Sequence, residues 1–170
     1  MRVDLDIHGV DGVLATLKSL PAEVVSKRGG PVKLALAKGA RLIRDQAIQN
    51  VKAQIAVNGD ASTGLLTKSI IASRGKQIYG SNGERYLVRV KRKAYDGEKI
   101  GKKTKAGKRV TTHKTASLLE YGSSNQPATP WLRPAVESKG QEAINVIVTD
   151  LKKRIDATVK KLARQNASKK

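Results

Sequence analysis

The chain has 170 residues, with 34 Lys and Arg against 14 Asp and Glu, a net charge of +20, no Cys, no Phe, one Trp and four Tyr. That length fits one domain, read here as residues 1–170, and is enough to bury a core. The lack of Cys excludes disulfides, a thiolate nucleophile and a Cys-based zinc site.

No run approaches 18 consecutive apolar residues, and the acidic, alternating start MRVDLDIHG is not a signal peptide. The expectation is a soluble protein, made in the cytoplasm, with no membrane partner. Its charge predicts attraction to polyanions: nucleic acid, an acidic protein surface or anionic lipid. Charge alone does not choose among them.

Val3, Leu5 and Ile7 alternate with Arg2, Asp4 and Asp6, the period of a half-buried strand. Val13, Leu14 and Leu17 suit a short helix before Pro21. A longer helix starts at about Pro31, proline being favoured in a first turn. Leu36, Ala40, Ile43, Ala47 and Val51 mark its apolar face over 20-odd residues. Gly39, costly in a helix by about 1 kcal/mol against Ala, suggests a close neighbour.

Residues 58–64, NGDASTG, are turn formers. Two or three antiparallel strands follow in residues 65–94, with a hairpin turn at Gly80, Ser81, Asn82 and Gly83. There Tyr86, Val88 and Val90 alternate with Leu87 and Arg89. The N-terminal strand is expected to join them.

Residues 91–114 lose all periodicity. They hold ten basic residues against Asp96 and Glu98, with three Gly. Such a block cannot bury enough surface to offset its ordering entropy and reads as a mobile loop. Its Lys91, Arg92, Lys93, Lys99, Lys102, Lys103, Lys105, Lys108 and Arg109 are the candidate contacts to DNA or an acidic partner. The alternative is a solvated loop, and with Tyr95 its only aromatic, stacking on single-stranded bases has little support.

A short helix is expected over residues 114–121, ending at Gly122. A long C-terminal helix follows over about 134–165, with an apolar stripe of Ile144, Ile147, Val148, Leu151, Ile155, Val159 and Leu162. A basic tail at 166–170 frays. The fold class is therefore α+β: a small antiparallel sheet packed against a long central helix and a long C-terminal helix, with a basic loop.

Catalytic patterns are missing from the sequence. His8 and His113 have no second ligand at metal spacing, GKKTKAGK lacks the order of a phosphate-binding loop, and the carboxylates are scattered. Neither an enzyme nor a cofactor is expected.

The most sharply punctuated segment is TASLLEYGSSNQPATPWLRPAV, residues 115–136. Pro127, Pro130 and Pro134 each fix a backbone angle and bias the preceding residue towards extended structure, so the segment re-aims the chain. Two readings of Trp131 and Leu132 stand: they staple the final helix to the core, or they contact another protein, where a Trp–Arg pair is favoured.

This segment resembles the signature of the tail-completion, or head–tail joining, proteins of long-tailed bacteriophages. The residues that carry it are Ala116, Glu120, Tyr121, Gly122 and Ser123, then Pro127, Pro130, Trp131, Leu132, Arg133, Pro134 and Ala135. Upstream, TGLLTKSI at residues 63–70 is similar to a second motif of that family, and the order of elements agrees over most of the chain. Trp131 stands where the family more often has Phe, and the basic insertion at 91–114 is longer and more basic than its pattern.

The resemblance implies a structural virion protein in the neck, assembled in the host cytoplasm and catalysing nothing. It implies a ring, usually of six subunits, that completes the tail and docks to the head connector, with adaptor, tail-terminator or tail-tube proteins as neighbours and genomic double-stranded DNA in the channel. Glu120, Tyr121, Pro130, Trp131, Leu132 and Arg133 are then expected to belong to, or brace, a subunit or connector interface. Glu120 is expected to pair with a basic residue of its own fold or of a neighbour. The competing reading is a freestanding basic protein that binds double-stranded DNA.

Overall fold

The structure, a computed structural model, describes residues 30–58, 62–76, 84–95 and 110–167. The expected strand at 3–7, the short helix at 13–17, the hairpin turn at 80–83 and the basic stretch 96–109 lie outside them, as do residues 168–170 of the tail. The described elements run α1 (Pro31–Asn58), α2 (Leu65–Ser69), β1 (Ile70–Arg74), β2 (Tyr86–Val90), α3 (Thr112–Tyr121) and α4 (Leu132–Ala167). The class is α+β, with a two-stranded antiparallel sheet against the long helices α1 and α4.

Both long helices begin as their sequences predict. Pro31 is the first residue of α1, and Pro134 sits in the first turn of α4, where a missing N–H costs no intrahelical bond. In the sheet, Lys91 N–H donates to Ser69 and Gly75 N–H to Arg85, which sets Ile70 opposite Val90. Residues 65–69 form a helical turn where the strands were expected to begin. The turn opens after Gly64, held at a left-handed φ of 67°, and closes through the Lys68 N–H on the Gly64 carbonyl at 3.1 Å; the Ser69 hydroxyl donates to the Leu65 carbonyl at 2.6 Å.

The chain divides into two compact units. One takes its described residues from 30–40, 74–76, 84–86 and 140–167. Its core is Ala35, Leu151 and Ile155, with Val32, Ile147 and Val148 packed against them. A Cβ on Gly39 would lie 2.5 Å from the Ile147 side chain and 3.0 Å from the Ala143 carbonyl, so the glycine marks a close helix approach, as expected. Asp150 accepts from Lys38 Nζ at 3.0 Å and from Arg154 Nε.

Two details of the expected faces are corrected here. Along the first turns of α1 the buried positions are Ala35, Ala37 and Gly39, while Leu36 and Ala40 are half-buried; the missing side chain of Gly39 is what allows the approach of α4. On α4 the stripe buries Leu151 and Ile155 but leaves Val159 exposed; the Leu162 side chain is outside the described set.

The second unit comprises Arg41–Ser73 and Leu87–Lys139. Its core gathers Ala47 and Val51 of α1, Leu66 of α2, Ile70 of β1, Ala116 of α3, and Trp131 with Ala135 at the start of α4. Val88 and Val90 of β2 cover it. A two-stranded sheet is marginal by itself, and this helical packing gives it a buried face.

Candidate functional site: the Pro-rich turn and its clamp

The site lies in the second unit and is built from both ends of α3. At its start, Thr111 caps the helix by accepting the Lys114 N–H. Thr112, fully buried, accepts from the Lys93 N–H at 2.9 Å and donates to the Lys91 carbonyl at 2.7 Å, tying α3 to the end of β2. The backbone of Lys91 and Lys93 is thereby fixed. The side chains of Lys91 and Arg92 are exposed and that of Lys93 is half-buried. Lys99, Lys102, Lys103, Lys105, Lys108 and Arg109 are outside the described residues.

At its other end α3 stops at Gly122, as the sequence predicts. Its φ of 74° is disfavoured for any residue with a side chain. A Cβ here would sit 2.8 Å from the Ala128 backbone nitrogen. Ser123 and Gln126 close a tight turn, and Thr129 N–H donates to the Leu119 carbonyl at 2.8 Å, laying the Pro-rich segment back along α3.

That return brings Glu120 to the first turn of α4. Its carboxylate, in a residue only 5% exposed, accepts four hydrogen bonds. One oxygen takes the backbone N–H groups of Trp131 and Leu132, at 2.9 and 2.8 Å. The other takes the backbone N–H and the Nε of Arg133, at 3.2 and 2.9 Å. Helix starts leave N–H groups unpaired and carry partial positive charge, so a carboxylate is the favoured partner. Burial pushes the Glu120 carboxyl up; the N–H groups of Leu132 and Trp131 and the two donors of Arg133 outweigh it and hold it below the ordinary glutamate value.

Trp131 is 3% exposed, and its indole N–H donates to the Ala116 carbonyl at 3.1 Å. From α1, Asn50 and Gln54 donate to the carbonyls of Trp131 and Pro130 at 2.9 and 2.8 Å. Leu132 is half-buried against the core. Of the six expected interface residues, Glu120 and Trp131 thus face inward as braces, and Pro130 and Leu132 are intermediate. Arg133 is partly exposed, with its guanidinium 5.6 Å from the centre of the Tyr121 ring. Tyr121, 73% exposed, is the outward residue of the set. An open groove beside α3, floored by Ala116, Trp131 and Leu132, is edged by Arg89, His113 and Tyr121.

The second motif folds into the same unit. Gly64 takes a left-handed φ of 67° before α2, and the Thr67 hydroxyl donates to its carbonyl at 2.8 Å. Leu66 and Ile70 enter the core with Ala116, Trp131 and Ala135.

Chemically, the four acceptor positions of Glu120 are filled, so it holds a turn and has none left for a substrate proton. Among the described residues no three His, Cys, Asp or Glu side chains converge to hold a metal, and no helix is long and apolar enough to cross a membrane. Sequence reasoning missed Asn50, Gln54 and Thr112, whose roles depend on contacts distant in the chain. No family model, curated protein or solved structure matches the chain.

Proposed function

We propose that the chain is a structural neck protein of a long-tailed bacteriophage, completing the tail and joining it to the head connector as a ring around the DNA channel. The observation that carries this reading is the meeting of its two motifs. Residues 63–70 and 115–136, which bear the resemblance independently in sequence, supply Leu66, Ile70, Ala116, Trp131 and Ala135 to one core. Such motifs are expected to act together.

On this reading the clamp works by presentation. Glu120, Gly122 and Trp131 fix the entry of α4, and Tyr121 with Arg133 forms the surface that a neighbouring subunit or the connector meets. Aromatic and Arg residues are favoured at such contacts, and rigid placement lowers the entropy cost of binding. A ring requires each subunit to offer one patch to a different patch on the next.

The net charge of +20 favours a second reading, a freestanding protein that binds double-stranded DNA. Quantitative mass spectrometry of purified virions separates the two. The joining role predicts a fixed copy number matching a ring; absence from infectious particles contradicts it and leaves the DNA-binding reading.

A further inference from the structure

We propose that the exposed row Lys153, Lys160 and Arg164 on α4 is a sequence-independent binding surface for duplex DNA, separate from the basic stretch at 91–114. Positions i, i+7 and i+11 fall within a narrow sector of a helix, so the three cations form one line. At about 1.5 Å per residue it is about 16 Å long. All three are exposed, and Ala157, between them on the same face, is exposed and too small to block an approach.

The local charge is one-sided. From Leu151 to Ala167 the basic residues are Lys152, Lys153, Arg154, Lys160, Lys161 and Arg164, against Asp156 alone. Arg154 is committed to Asp150. None of the described salt bridges involves Lys153, Lys160 or Arg164.

The chemistry of the row selects its partner. No Trp, Tyr or Phe occurs anywhere in α4, which removes the stacking platform that single-stranded binding uses. Lys is depleted in the centres of protein–protein interfaces, and this row offers no aromatic anchor. Each strand of duplex DNA instead presents a phosphate about every 3.4 Å along the axis, so a 16 Å row of point charges meets phosphates in any register. Two lysines and one arginine contact phosphate without reading bases.

The proposal stands apart from the joining role, which is tested in particles rather than by DNA affinity. Its test is fluorescence anisotropy with a labelled 20-base-pair duplex across a salt series, comparing the full chain with the K153Q/K160Q/R164Q variant. Glutamine keeps helix propensity, and circular dichroism checks the fold. Each phosphate neutralised contributes about 0.9 to the slope of log affinity against log salt. The variant is expected to lose about 2 to 3 from the slope magnitude and to bind two unrelated duplex sequences equally weakly. An unchanged slope in a folded variant overturns the proposal, as does a wild-type chain that shows no duplex binding at low salt.

Discussion

Arg133 holds Glu120 twice: its Nε donates to the carboxylate at 2.9 Å, and its Nη2 to the same residue's backbone carbonyl at 2.8 Å. One side chain thus locks the last turn of α3 to the first turn of α4. Replacing the buried carboxylate by an amide removes the charge that three backbone N–H groups and the guanidinium share. Glu120→Gln is expected to cost about 2–4 kcal/mol, read as a lower urea midpoint.

The same carboxylate sets an acid limit. Its folded pKa lies below its unfolded value, so between the two the unfolded chain binds more protons and stability rises with pH. The contribution is complete above the ordinary glutamate range and is lost as pH falls through the folded value. Asp150 acts with the same sign in the other unit, its carboxyl lowered by the hydrogen bonds of Arg154 and Lys38. Urea midpoints between pH 7 and pH 3 should fall steeply for the wild type. The fall should be shallower in Glu120→Gln and shallowest in Glu120→Gln/Asp150→Asn.

Trp131 combines packing with a hydrogen bond to the Ala116 carbonyl. Trp131→Ala is expected to cost about 3–5 kcal/mol, the range for deleting a large buried aromatic side chain. Trp131→Phe keeps most of the packing and should cost appreciably less. Equal losses in thermal or urea unfolding would show that the indole N–H, rather than the ring, dominates.

The glycines separate backbone strain from crowding. At Gly122 an added methyl meets the Ala128 backbone at a positive φ, and nothing nearby can yield without moving the turn. Gly122→Ala should destabilise by about 1–3 kcal/mol, with no rescue by a neighbouring substitution. At Gly39 the nearest obstacle is the Ile147 side chain. Gly39→Ala should therefore couple strongly to Ile147→Ala in a double-mutant cycle.

Tyr121 tests surface against scaffold. Tyr121→Ala should change stability by no more than about 0.5 kcal/mol, since the ring is exposed. If the ring belongs to a subunit or connector contact, plating efficiency should nevertheless drop when this variant complements a phage lacking the gene. Full complementation would remove Tyr121 from the interface.

The legible parts of the fold were those with local causes. Pro31 and Pro134 announce helix starts, and Gly122 announces a helix end because only glycine fits its backbone. The repeating apolar positions of α4 located Leu151 and Ile155. Glu120 as a cap was not legible: a usual capping residue lies next to its helix, whereas this one reaches α4 only after the chain has folded back through Thr129. The inward turn of Trp131 depends on Asn50 and Gln54 holding the carbonyls beside it, and no spacing rule links those positions. The helical turn at 65–69 replaces an expected strand: Leu65, Leu66, Thr67, Lys68 and Ser69 have no strand period of their own, and the turn closes through the Lys68 N–H on the Gly64 carbonyl.

The proposed joining role is tested by deleting the gene from the phage proposed to carry it and imaging the lysate by electron microscopy. If the chain joins heads to tails, the lysate should hold DNA-filled heads beside finished, unattached tails, with joining restored when the wild-type chain is supplied. Intact and infectious particles from the deletion would contradict that role.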